Sequence, residues 1–377
     1  MGNIDYTYPP TAQEIRDLVK EVEQSDYFSL ALQHVFPGTT AAQMRETLAG
    51  VKDVDTFQRV FMIPFCQWIV DNTITEFSHT GWISPAQDAS GQSPAPAVYV
   101  SNHRDIILDA LLLQYLRITG GTVATNDVIG SNLFEMPIMT VAARLNKMVP
   151  IGRGGSPREF YASLTSLSAW IRRRVGEGES VWIAQRNGRT KDGIDRTDEA
   201  VVKMLAMSGQ AMPGDIKGSR IKALAELNLV PMSISYEWEP CGIEKARELA
   251  LKQLNGTYQK APGEDSRSIV DGILSFKGRV HLALGSALTR ADIEAVGGDT
   301  VGVAHLLDAC IAEGYRLWPN NYVAADILDG TDARSDHYTP EHRAAFQAYL
   351  DKACAANPIE GFREILLGIY ANPVLTH

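Results

Sequence analysis

The sequence predicts an α/β fold: a largely parallel sheet flanked by helices, with helical N-terminal and C-terminal extensions. Three observations carry this. Between residue 98 and about residue 290, short β-rich runs alternate with helical patterns, which is how βαβ units read. Helical periodicity prevails before residue 80 and again beyond about 300. SPAQDASGQSPAPA, from Ser84 to Ala97 with prolines at 85, 94 and 96, parts the first helices from the first strand, as a linker or long loop does. The chain therefore divides into an N-terminal helical region (1–83), a linker (84–97), an α/β domain (98–290) and a C-terminal helical extension (291–377).

In order, AQEIRDLVKEVEQ (12–24) and FQRVFMIPFCQWIVDN (57–72) repeat their apolar residues at helical spacing. The most apolar stretch, Val60 to Val70, is interrupted by Pro64 and Gln67. It falls short of the roughly 20 residues a membrane span needs. VYVSN (98–102) is the first expected strand and leads into a helix through Leu112. KMVPI (147–151) precedes a helix from Pro157 to about Val175, and SVWIAQ (180–185) precedes a polar loop and the helix EAVVKMLAM. LVPMSISYE (229–237) and RVHLALGS (279–286) follow, each trailed by helical sequence. Open α/β sheets bind ligands beyond the C-terminal ends of their strands, and the chemically interesting groups follow those ends.

Composition excludes several classes. A formal charge of −10 argues against bulk nucleic-acid binding. Cys66, Cys241, Cys310 and Cys354 form no C-x-x-C pair, so reduced thiols in a cytoplasmic setting are expected, without a disulfide or zinc framework. The histidines other than His103 form no H-x-H or H-x3-H pair, so no metal is expected. MGNIDYTYPP has no charged-then-apolar signal pattern.

Four stretches carry candidate chemistry. In VYVSNHRDIILDALLLQYL, His103 follows the strand, Asp105 stands where a helix starts, and Asp109 lies among Leu108, Ala110 and Leu111. Asp105 suits a helix cap, whereas Asp109 needs a partner in such company. Either these are cap and surface residues, or His103 and one aspartate form a base and its orienter. In MVPIGRGGSPREF, glycines 152, 154 and 155 lead to a capping box at Ser156–Glu159 with Pro157 at the first helical position. That turn is a plain bend or an anion site at a helix N-terminus, to which Arg153 adds charge. Pro157 occupies the third-glycine place of a G-x-G-x-x-G fingerprint, so no nucleotide motif is present. In VWIAQRNGRTKDGIDRTDEA, Arg186, Arg189 and Lys191 surround Asn187-Gly188, as in a solvated turn or a second anion clamp. From Arg144 to Lys191 ten Lys/Arg face three Asp/Glu, an asymmetry that favours an anionic ligand or membrane surface. LVPMSIS is a buried strand.

Together, in order and spacing, these stretches resemble the sequence blocks of the glycerolipid acyltransferases, specifically the 1-acyl-sn-glycerol-3-phosphate (lysophosphatidic acid) acyltransferases. The family's N-H-x4-D block looks like Asn102-His103…Asp109, and its V/I-P strand with arginine like Val149-Pro150-Ile151-Gly152-Arg153. Its E-G-T-R-like block looks like Asn187-Gly188-Arg189-Thr190, and its V-P-I-like strand like Val230-Pro231-Met232-Ser233-Ile234. The resemblance covers about residues 96 to 240. Two departures accompany it: five residues separate His103 from Asp109, and Asn187 replaces the family's glutamate, with Arg189 directly after the glycine.

The resemblance implies an enzyme that moves an acyl group from acyl-CoA or acyl-carrier protein to a lysophospholipid-type hydroxyl, 1-acyl-glycerol-3-phosphate giving phosphatidic acid. It implies His103 as general base and Asp109, with Asp105 the alternative, as its orienter. Arg153, Ser156, Gly188, Arg189 and Lys191 would hold the acceptor's phosphate, with Pro231 and Ser233 in the supporting strand. No cofactor is implied. The N-terminal helices, through Phe61, Phe65 and Trp68, would dock peripherally on the cytoplasmic membrane face. The competing readings are a non-catalytic lipid- or phosphate-binding protein on the same scaffold, and an acyltransferase for another acceptor such as glycerol-3-phosphate.

Overall fold

A computed structural model describes residues 10–81, 95–135, 137–152, 156–209 and 213–376. Four helices, α1 (Ala12–Gln24), α2 (Asp26–His34), α3 (Ala41–Ala49) and α4 (Val54–Phe57), open the chain. Thr11 and Thr40 cap α1 and α3 through capping boxes. A π-helical turn (Gln58–Met62) then leads into α5 (Ile63–Thr73). Strand β1 (Ile74–Thr80) follows at once. Most of the expected linker, residues 84–94, lies outside the described residues.

The α/β region runs β2 (Val98–Ser101), α6 (Leu108–Thr119), β3 (Asn126–Gly130), α7 (Pro137–Leu145), β4 (Met148–Ile151), α8 (Pro157–Gly176) and β5 (Val181–Ala184). It continues through α9 (Glu199–Ala206), α10 (Ile216–Ala225), β6 (Leu229–Tyr236), α11 (Gly242–Asn255), α12 (Glu264–Leu274) and β7 (Gly278–Leu284). Helices α13 (Arg290–Ala295), α14 (Thr300–Gly314), α15 (Pro319–Asp329), α16 (Pro340–Ala356) and α17 (Phe362–Leu375) close the chain.

The seven strands lie in the order β1-β7-β6-β2-β5-β3-β4. All neighbours are parallel except β6 and β7, which pair antiparallel. The expected α/β class, a largely parallel sheet with helices around it, is the one observed. Two boundaries differ from expectation. Residues 74–80 form a sheet strand, so the 1–83 region is not helical throughout. In the 291–377 region, Ala304 and Leu307 of α14 belong to the sheet's own core.

Strand alternation sends side chains to two cores. Val98, Val100, Val181 and Ile183 pack with Leu167, Leu205, Leu224 and Leu307 on one face. Tyr99, Trp182, Met232, Ile234 and Leu282 pack with Ile69, Leu108 and Leu112 on the other. Ile15, Val19, Leu48 and Phe57 bury their apolar faces against Val141 and Leu145 of α7, which docks the N-terminal helices on the domain. Because β2, β5, β3 and β4 run parallel, their C-terminal ends share one edge of the sheet, and the loops carrying His103 and Arg189 leave from it.

Candidate active site

Beyond β2 the chain turns for several residues before α6 begins at Leu108. Asn102, wholly buried, anchors the start of this turn: its Oδ1 accepts from the Ile234 amide at 2.8 Å and its Nδ2 donates to the Ile234 carbonyl at 3.0 Å. Asp109, in the first turn of α6, is also wholly buried. Its Oδ2 accepts from the backbone amides of Arg104 (2.7 Å) and Asp105 (3.0 Å), and its Oδ1 from the Tyr236 hydroxyl (2.9 Å). The fourth contact is His103, whose Nδ1 lies 2.9 Å from Oδ2. A carboxylate only accepts, so this contact puts the proton of a neutral His103 ring on Nδ1 and leaves the lone pair on Nε2. The His103 side chain retains 14% exposure and meets Trp182 edge-on at 5.9 Å. Burial, and after it the Asp109 carboxylate, hold the Tyr236 hydroxyl well above the usual phenol range, so it stays a donor.

Asp105 does a different job. Its Oδ1 accepts from the amides of Ile107 and Leu108, both at 2.9 Å, which caps the start of α6. The N-cap position itself is Ile107. The other oxygen of Asp105 is buried without a hydrogen-bond partner among the described residues.

Arg104, between the two, points inward. Its Nε and Nη2 reach Asp195 Oδ2 at 3.1 and 2.8 Å, its Nη1 lies 3.5 Å from Glu239, and it stacks on Tyr315 at 5.0 Å. Asp195 also accepts from Asn102 Nδ2 (2.8 Å) and Thr190 Oγ1 (2.7 Å), binding the first and third blocks together. The Thr190 amide donates to the His103 carbonyl at 2.7 Å. Asp195, Tyr236 and Glu239 were not among the expected site residues. Asp195 sits in a charged run that reads as a solvated loop, and nothing local marks the other two.

Arg189, directly before Thr190, is only 9% exposed, and its Nη1 is buried with no partner among the described residues. A guanidinium in that state is costly unless an anion completes it. Gly188 takes φ +77° in open space, which places it in the left-handed region at the loop's turn.

The other expected anion ligands are differently engaged. Lys191 is paired with Glu248 of α11, while burial draws its ammonium below the usual lysine range against the pull of that carboxylate. Ser156 caps α8, its hydroxyl and amide both 2.7 Å from Glu159, so a carboxylate already serves that helix end. Arg153 lies outside the described residues. Pro231 is in register with Val100, and its carbonyl accepts from Gly285 at 2.8 Å. Ser233 is buried and faces Gly314 of α14, on the face of β6 away from Tyr236.

The basic stretch from Arg144 to Lys191 is largely answered by acids. Lys147 pairs with Asp55, Arg172 with Glu226, and Arg174 with Glu177 and Glu179. Phe61, Phe65 and Trp68 are half-buried and line a partly open apolar cavity. No helix among the described residues is long and apolar enough to cross a membrane.

Residues 87–234 match the family model described as Acyltransferase. No curated protein matches the chain significantly. Among solved structures, the chain is similar to the 1-acyl-sn-glycerophosphate (LPA) acyltransferase PlsC from Thermotoga maritima, at 12% identity and a TM-score of 0.38. The match covers 80% of this chain and 94% of that one.

Proposed function

We propose, from the match of residues 87–234 to the Acyltransferase family model, that the chain esterifies the free hydroxyl of a lysophospholipid-type acceptor. The donor is a thioester, acyl-CoA or acyl-carrier protein, and the acceptor that suits the blocks is 1-acyl-glycerol-3-phosphate. The observation that carries this reading is the His103–Asp109 pair, in which Nδ1 is held and Nε2 is left for a substrate.

In the proposed reaction Nε2 of His103 removes the acceptor's hydroxyl proton as that oxygen attacks the thioester carbonyl. The tetrahedral intermediate collapses, the C–S bond breaks, and the imidazolium returns the proton to the leaving sulfur. Asp109 fixes the tautomer and stabilises the imidazolium without itself taking the proton. Arg189 supplies the charge that fixes the acceptor's phosphate, and with it the hydroxyl, beside His103; such positioning lowers a barrier by several kcal/mol. A large apolar cavity next to the site gives an acyl chain somewhere to lie. The substrates' home makes the working location a membrane surface, approached peripherally from the cytoplasm.

The test is an incubation of the purified protein with mixed acyl-CoAs and a panel of lyso-acceptors, read by mass spectrometry. A diacyl product that is lost in His103→Ala supports the reading. Turnover that survives in the folded variant sinks it.

A further inference from the structure

The cavity beside the site has a volume of about 600 Å³ and lies among the N-terminal helices, α6, α7 and α12. Its wall is built mainly from Phe28, Phe57, Phe61, Leu111, Met139 and Ile269. Along α6 and the residue before it, Ile107, Leu111, Gln114 and Ile118 line it turn after turn, a single stripe. At 1.5 Å per residue that stripe runs about 16 Å. It starts at Ile107, whose amide is held by Asp105 in the turn that carries His103. One end of the cavity therefore reaches Ile107, next to the turn that carries His103, and the other reaches Asp127 at the start of β3.

Three buried polar side chains, Gln58, Gln114 and Asp127, interrupt this wall. Asp127 is 1% exposed and lines the cavity. Gln114 Nε2 and Thr125 Oγ1 both donate to its Oδ1, each at 2.7 Å, and no described residue bonds to Oδ2. Gln58, 2% exposed, also lines the cavity, and its Oε1 has no hydrogen-bond partner among the described residues. It opens the π-helical turn, a distortion often found where a helix is shaped for function. Bare polar atoms in an apolar wall cost stability unless a ligand meets them. Burial pushes the Asp127 carboxyl up to about 7, so near neutral pH much of it is uncharged and suited to a neutral partner. Gln114 stands seven residues beyond Ile107, about 10 Å along the stripe, which places Asp127 far from the reacting end.

We propose that this cavity takes a substrate's acyl chain and recognises a hydroxyl carried well along that chain, through Asp127 with Gln58 as the second polar contact. The inference rests on the acyltransferase reading for what the chain belongs to, but its test is binding alone. Long-chain saturated fatty acids of one length, unsubstituted or with a single hydroxyl walked along the chain, would displace a fluorescent fatty-acid probe from the full-length protein. An isomer hydroxylated in the distal half should bind about tenfold more tightly than the plain chain, the scale of one well-buried hydrogen bond. Isomers hydroxylated next to the carboxyl should bind no better than the plain chain. In Asp127→Leu, checked for folding by its melting curve, the preference should shrink to about twofold or less while the plain chain binds at least as well. Gln58→Met should reduce it partly, and His103→Ala should leave it intact. A plain chain that binds as tightly as every isomer overturns the proposal. So does a preference unchanged in both cavity variants, or the absence of any displacement. A preference that holds while no donor is ever turned over sustains this inference and defeats the catalytic reading instead.

Discussion

His103 Nδ1 and Asp109 Oδ2 lie 2.9 Å apart although six positions separate them in the chain. On a continuous helix that spacing would turn the two side chains apart. The pair forms because residues 103–107 are a turn outside α6, so His103 folds back over the first helical turn. Asp109 binds the amides of Arg104 and Asp105 at the same time. The residue that lengthens this block relative to the family pattern is absorbed in that turn, and Asp109 remains the aspartate that faces the histidine.

His103→Ala and Asp109→Asn are therefore expected to lower acyl transfer by about two orders of magnitude or more, the scale of a lost general base or a misplaced tautomer. Asp105→Ala should instead cost about 1 kcal/mol of stability through the lost cap, with a smaller kinetic effect. Melting curves and turnover for the three variants separate the roles. A larger kinetic loss in Asp105→Ala than in Asp109→Asn would reverse the assignment.

Tyr236→Phe removes one of the donors to Asp109 and keeps the ring in its place in the core. Stability should fall by about 1 kcal/mol, and kcat by roughly tenfold with acceptor KM nearly constant, because the hydroxyl acts through the aspartate rather than on substrate. A change confined to KM would place Tyr236 against a ligand.

The contrast between Asp109 and Tyr236 also shows what the sequence can convey. β2, β4, β5, β6 and β7 are legible because apolar, β-branched runs end in glycine or polar turns. β1 escapes because ITEFSHT is a half-exposed edge strand directly after a helix and carries no apolar run. β3 escapes because it is short and begins with Asn126 and Asp127. Within the site, His103 and Asp109 stand out through local order and resemblance. The Tyr236 and Asp195 contacts join elements 127 and 93 positions from their partners, and such pairings arise only from the sheet order. Lys191 illustrates the converse, since local charge cannot reveal Glu248 as a prior partner, whereas the S-x-x-E capping box already pairs Ser156 with Glu159 in the sequence.

A pH dependence is expected from His281. Burial, followed by repulsion from Arg316 and His79, draws this imidazole down to about 4, and it bonds Ser78 Oγ at 2.9 Å and Thr80 Oγ1 at 3.3 Å across the β1–β7 pair. The folded value lies below the unfolded one near 6.5, so the contribution is complete above pH ~6.5 and is lost as pH falls towards 4. Unfolding free energy should drop by at most about 1.4 kcal/mol per pH unit in that window. His281→Gln should flatten the curve relative to wild type. Superimposable profiles for the two proteins would show that the histidine is not responsible.

Arg189 offers the sharpest separation of function from stability. Its guanidinium is nearly buried, one nitrogen has no hydrogen-bond partner among the described residues, and the next residue's amide binds the His103 carbonyl. An anion brought to it would gain a charge-assisted contact of about 1.5–3 kcal/mol. Arg189→Ala should therefore raise KM for a phosphorylated acceptor by roughly 10- to 150-fold, with little change in KM for the acyl donor. In the same variant the ligand-free protein should melt no earlier than wild type, since a costly buried charge has been removed. Arg189→Lys should recover binding only partly, because an ammonium lacks the planar fork that meets phosphate. Steady-state kinetics against each substrate and melting without ligand settle the matter. A KM rise confined to the donor would assign this loop to the thioester carrier, and a clear drop in melting temperature would make Arg189 structural.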